Sequence, residues 1–164
     1  MPTSNNSRAH ASRKQLAVRV LAAVLILFVG VDHYYEYAVD QYRVLPTIGT
    51  LFLLNFVSAA VVGLALLVPL ERLFHRFGGT LTKLAALSGF GIATTSLVAL
   101  LVSEQTPLFG FMELNYRTAI VVALASEAAA AVATAALFVM TVLGSRSRGQ
   151  SPHLRIAGSS PAGA

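Results

Sequence analysis

Two polar side chains stand alone inside long apolar stretches of this 164-residue chain: Glu127 within 118–143 and Asn55 within 46–70. A carboxyl in such a setting can hold and release a proton, bind a cation, or hydrogen-bond across a helix contact. An amide can only hydrogen-bond. Around Glu127, Ala119, Ala123, Ala131 and Ala135 recur every four residues, and Ser126, Ala130 and Thr134 widen the stripe. Faces of small residues let helix backbones approach closely. Glu127 is therefore expected to point into a helix–helix contact rather than at lipid. Asn55 shares its face with Ala59 and Gly63. Ala85, Gly89 and Ala93 repeat the spacing farther on, and Thr94, Thr95 and Ser96 follow them. The expectation is a short intramembrane polar layer of Glu127, Asn55, Thr94, Thr95 and Ser126, with Ser96 a further hydroxyl in reach.

A second set crowds the end of the first apolar stretch. His33, Glu36, Tyr37 and Asp40 share a face if a helix continues through them, and Asp32 precedes them. A histidine with two carboxylates could ligate a divalent cation, with Glu104 or Glu113 completing the set. The acids could instead pair with Arg43 and Arg117 and close the mouth of a bundle. The tyrosines also suit an interfacial belt. Asp32, His33, Glu36, Asp40, Arg43, Glu113 and Arg117 are thus assigned to one outer-mouth cluster, with no metal site among them.

Other chemistries lack their residues. The chain has no cysteine, which excludes thiolate metal sites, iron–sulfur clusters and disulfides. Its four histidines, His10, His33, His75 and His153, fall at different depths, a poor set for bis-histidine haem. No nucleophile elbow, phosphate loop or zinc-protease motif is present. No cofactor and no enzymatic activity are expected.

Four helices must position these groups. The composition is 55% hydrophobic and 12% charged, against about 25% charged in soluble domains. Apolar stretches over about 16–37, 46–70, 81–102 and 118–143 are each long enough to cross ~30 Å of hydrocarbon. Pro46 suits the first turn of its helix. Arg13 and Lys14 before an apolar run also resemble the start of a signal peptide, but no small-residue cleavage pattern follows, so an uncleaved span is expected. The reading is an all-α, integral membrane four-helix bundle over 13–145. The tails, 1–12 and 146–164, are polar and expected to be disordered.

Charge sets the direction. Of the twelve Lys and Arg residues, only Arg43 and Arg117 fall on one side; the others fall on the side of the termini. The positive-inside rule then puts both termini in the cytoplasm. Topology and contact with anionic lipid account for the +5 net charge. Nucleic acid is not an expected partner; the lipid bilayer is. The small-residue faces also predict association with a second copy or with another membrane protein.

The halves echo each other. Tyr42-Arg43 stands before the second span and Tyr116-Arg117 before the fourth, and each pair precedes one of the two lone polar residues, Asn55 and Glu127. This suggests a parallel repeat about an axis along the membrane normal.

The segment from Tyr42 to Asn55, reading YRVLPTIGTLFLLN, resembles part of a family of small four-span actinobacterial membrane proteins. Residues 107–113, PLFGFME, with Glu127 in the last span, are similar to the second outer loop and fourth helix of that family. The resemblance implies four spans and a bacterial plasma membrane, and it carries no assigned activity.

Two functional expectations follow. One is a non-enzymatic structural or partner-binding membrane subunit. The other is a small proton- or cation-coupled transporter or channel-like protein that uses Glu127.

Overall fold

A computed structural model describes residues 3–110, 112 and 118–149. Five helices follow one another: α1 (Thr3–Ala38), α2 (Pro46–Leu67), the short α3 (Leu70–Leu73), α4 (Gly78–Ser103) and α5 (Thr118–Gly149). A 3-10 turn, Tyr42–Val44, leads into α2. No β-strand occurs among the described residues. Four helices are long and apolar enough to span a membrane, over His10–Ala38, Pro46–Leu67, Gly78–Ser103 and Thr118–Ser145. The chain is an all-helical, multi-pass membrane protein in contact with lipid.

The boundaries differ from the sequence expectation for local reasons. The tail expected to be disordered over 1–12 is helical from Thr3, because no Pro or Gly interrupts the chain between Pro2 and Gly30. The second span ends at Leu67, not at 70. Val68 takes extended angles, φ −71° and ψ 134°, as a residue before proline favours, and Pro69 follows it. The fourth helix continues past 143 to Gly149.

The spans close into a ring. α1 packs on α2 and α5, and α4 packs on α5 and α2; α1 and α4 are diagonal, as are α2 and α5. α1 and α4 run from the proximal end, where α1 begins, to the distal end; α2 and α5 run back. The inward faces of α1 and α5 are spaced alternately by three and four residues, while on α2 Ala59 and Gly63 keep the every-fourth spacing from Asn55. On α5 the face is Ile120, Ala123, Glu127, Ala130, Thr134, Leu137 and Thr141. This is the seam of a left-handed bundle, not the every-fourth stripe read from the sequence. Ala119, Ala131 and Ala135 drift to half-buried positions.

Small residues bring the backbones together. A Cβ added at Gly30 would lie 3.1 Å from the Ala59 Cβ, and one at Gly63 would meet the Leu27 side chain at 2.6 Å. The proximal core is apolar: Ala22, Ala23, Leu66, Ala86, Ala133 and Leu137 in one cluster, then Ile26, Val29, Ala59, Ala93 and Ala130 above it. Lipid is as apolar as these side chains, so their contacts stabilise through packing rather than through escape from water.

At the proximal end, Arg19 of α1 fastens the bundle. Its Nε donates to the Leu66 carbonyl at 2.6 Å and Nη2 to the Val68 carbonyl at 2.5 Å. A cation at a helix C-terminus satisfies carbonyls that lack an intrahelical donor. Nη1 also donates to Glu71 Oε2 at 2.8 Å, and the Thr82 hydroxyl donates to Glu71 Oε1 at 2.6 Å. Partial burial raises the Glu71 carboxyl, but hydrogen bonds from Thr82 and Arg19 outweigh it and hold it below its ordinary value.

Candidate functional site

One polar residue from each span meets in a single layer. His33 comes from α1, Asn55 from α2, Ser96 from α4 and Glu127 from α5. Ser96 Oγ lies 2.5 Å from Glu127 Oε1 and 2.8 Å from His33 Nε2. Asn55 Nδ2 lies 3.0 Å from the same Nε2. His33 Nε2 and Glu127 Oε1 are 3.7 Å apart, too far for a direct hydrogen bond. The serine hydroxyl therefore bridges them. Glu127 is 1% exposed and His33 6%.

Helix direction explains why these four converge. Asn55 and Glu127 each stand nine residues after the described start of their helix, or about 13 Å in at 1.5 Å per residue. His33 is only five residues before the end of α1. Side chains lean toward the N-terminus of their own helix. His33 and Ser96 therefore lean toward the proximal end, and Asn55 and Glu127 lean toward the distal end. The two antiparallel pairs close the offset. Phe52 helps hold the imidazole, its ring 5.2 Å from His33 and stacked on Tyr42 at 5.0 Å.

The hydrogen count allows two arrangements. His33 Nδ1 lies 2.9 Å from the Val29 carbonyl, which only accepts, so Nδ1 carries a hydrogen. Ser96 has one hydrogen to give. If it donates to Glu127, then Nε2–H donates to Ser96, the pair is imidazolium and carboxylate, and the Asn55 amide, whose Nδ2 faces Nε2, must turn its oxygen toward that N–H. If Ser96 donates to Nε2, then a protonated Glu127 donates to Ser96, and both are neutral. One proton moved from Glu127 to Ser96, with the serine's own proton passed to His33, converts the second state to the first. Two acceptors remain open: Glu127 Oε2 and Asn55 Oδ1 are buried with no hydrogen-bond partner among the described residues.

A cavity of about 740 Å³ adjoins the layer, lined by His33, Asn55, Ser96 and Glu127 at its inner end. It runs between α2 and α4 toward the distal end, where Tyr42, Ser103 and Phe109 line it. Its volume suits a small organic ligand. On the proximal side the layer rests on the apolar core. The Thr134 and Thr141 hydroxyls there turn back to the Ala130 and Phe138 carbonyls of their own helix.

The expected polar layer is thus redrawn. Glu127 and Asn55 belong to it. Ser126 does not: its hydroxyl donates to the Ala123 carbonyl at 3.0 Å within α5. Thr95 is exposed on α4 and lines the cavity. Thr94 is half-buried, and its hydroxyl has no hydrogen-bond partner among the described residues. Ser96 takes the role given to these hydroxyls, because the three-and-four seam through Ala86, Gly89 and Ala93 leads to it.

The expected mouth cluster divides. His33 leaves it for the layer. Asp32 and Glu36 line the cavity. Asp40 lies in the turn beyond α1. Arg43 is exposed, its guanidinium 3.4 Å from Gln41 Oε1. Glu113 and Arg117 lie outside the described residues. Among the described residues no three His, Asp or Glu side chains converge as a metal site requires.

No protein-family model, curated protein or solved structure matches the chain. Its functional reading rests on the geometry of the layer and the cavity.

Proposed function

We propose that this chain is a small proton-coupled membrane carrier in which Glu127, Ser96 and His33 form a proton relay at the closed end of a binding cavity. One observation carries the reading: a hydrogen-bonded chain through a single serine, with a buried carboxylate oxygen left open beside a cavity. A set that served only to join helices would be stabilised by filling that oxygen, since an unmet buried acceptor is costly. Here Oε2 is kept available for a ligand or a proton.

The same geometry favours a carrier over a channel. The cavity reaches the layer from one side, while Ala, Ile, Leu and Val side chains seal the other. A channel needs a continuous path; a carrier needs access from one side at a time. The diagonal placement of α1 with α4 and of α2 with α5 suits two hairpins related by an axis along the bundle, which could rock against each other. Asn55 and Glu127 occupy corresponding positions in those hairpins.

The cellular setting follows from charge and resemblance. The Lys and Arg excess near the termini supports a cytoplasmic proximal end, so the cavity opens outward. The likeness of 42–55 and 107–113 to small actinobacterial membrane proteins supports a bacterial plasma membrane.

Infrared difference spectra of the protein in lipid, taken across a pH titration, test the relay. A carboxyl band that responds to pH is expected, lost in Glu127→Gln and displaced in Ser96→Ala. A spectrum in which Glu127→Gln removes no pH-dependent band overturns the proposal.

A further inference from the structure

Resting on the carrier reading, we infer that the cargo is a lipophilic organic cation that reaches Glu127 sideways from the bilayer, through the slot between α2 and α4. Three observations combine. First, the walls are mostly apolar, so the body of the ligand is apolar. Second, the charged residues that line the cavity among the described residues are acidic: Asp32, Glu36 and Glu127, with no Lys or Arg. An anionic head would meet like charge at Asp32 and Glu127 in a low-dielectric site. A cationic head meets the open Glu127 Oε2. Third, the edges of the slot face outward. Leu51, Leu54 and Ser58 on α2 and Gly91, Val98 and Val102 on α4 all line the cavity and are exposed on the bundle surface. At these positions in a span, exposure means contact with lipid tails. A hydrated ion gains nothing on that route, whereas a molecule already dissolved in the bilayer needs no polar vestibule.

The exchange balances. The cation pairs with Glu127 only as a carboxylate, so the carboxyl proton must leave. It passes to Ser96 Oγ as the serine proton passes to His33 Nε2, and the imidazolium then releases it to water in the cavity. No bond other than O–H and N–H forms or breaks. Among the described residues, the ionisable groups that line the cavity with Glu127 are Asp32, His33 and Glu36 of α1 and Tyr42 of the turn before α2; α2 and α4 present only neutral side chains, Asn55 and Ser96 among them. About one proton is therefore released for each cation bound. His33 does not keep the proton, because an imidazolium beside a bound cation would be repelled.

The test uses two probes of nearly the same shape and opposite charge, tetraphenylphosphonium and tetraphenylborate, with the full chain in weakly buffered detergent micelles. Saturable binding of the phosphonium with release of about one proton is expected, and none of the borate. Glu127→Gln, which keeps the size of the side chain, should weaken phosphonium binding by more than about tenfold, the scale for losing one partner of a buried charge pair. Leu54→Trp, at the rim of the slot and outside the relay, should slow phosphonium binding while leaving the infrared carboxyl band in place. Equal binding of the borate, or unchanged phosphonium affinity in Glu127→Gln, overturns the cargo assignment. The relay would survive that result if the Ser96-dependent band persists. Phosphonium binding without proton release, together with no Ser96-dependent band, overturns the relay instead.

Discussion

The bundle contains two polar clusters, and they are built differently. At the proximal end Arg19, Glu71 and Thr82 satisfy one another: the guanidinium reaches two carbonyls and a carboxylate, and both carboxylate oxygens have donors. Toward the distal end His33, Asn55, Ser96 and Glu127 also join four elements, yet among the described residues Glu127 Oε2 and Asn55 Oδ1 have no hydrogen-bond partner. The first cluster has one good arrangement. The second has two, which differ by the position of a proton and the turn of the Asn55 amide, and a cavity lies beside it. A cluster with every group met fixes a structure; one with spare acceptors can exchange a proton or a ligand.

Each cluster can be broken separately. Arg19→Ala should have the largest effect on stability. It removes charge-assisted hydrogen bonds from a side chain only 13% exposed, each worth about 1.5–3 kcal/mol. A fall of about 2–3 kcal/mol in denaturant unfolding from micelles is expected, with proton exchange at Glu127 unchanged. Equal stability in the variant would mean that the proximal clamp contributes little.

A smaller, pH-dependent effect is expected from Glu71. Its folded carboxyl titrates below its ordinary value of 4.5. Its contribution is therefore fully present above that value and lost as pH falls through the lower, folded one. The side chain is 46% exposed, so solvent screening limits the contribution to less than about 1 kcal/mol. Comparing unfolding of wild type and Glu71→Gln from neutral to acid pH checks this; the difference should shrink on acidification. A gap that widens in acid would contradict the assignment.

The smallest effect on stability separates the clusters most sharply. Glu127→Gln retains a hydrogen-bonding side chain of the same size, and a stability change within about 1 kcal/mol is expected, although proton exchange is lost.

Much of this arrangement was legible in the residues. Apolar stretches marked the four spans, and the small residues around Glu127 and Asn55 marked both as inward. His33 was not legible as their partner. Its neighbours Asp32, Glu36 and Asp40 read as a water-facing rim, and its place near the end of α1 put it apparently too shallow. The lean of side chains on antiparallel helices closes that gap, and a linear reading does not show it. Ser96 was one of three adjacent hydroxyls, and only the packing of α4 on α5 selects it over Thr94 and Thr95. Pro69 offered a usable signal for the end of α2, since the residue before proline leaves the helical region. The cavity had none, because it is a gap that tertiary packing leaves between α2 and α4 beside the layer.

The most direct measurement follows Glu127 and His33 together by solid-state NMR in lipid, with carbon labels on glutamate and nitrogen labels on histidine. In wild type the Glu127 carboxyl and the His33 ring should change in concert across one titration, as coupled groups do. In Ser96→Ala they should titrate independently, because the bridge between Oε1 and Nε2 is gone. Independent titration in wild type, or concerted titration that survives Ser96→Ala, would contradict a proton relay through Ser96.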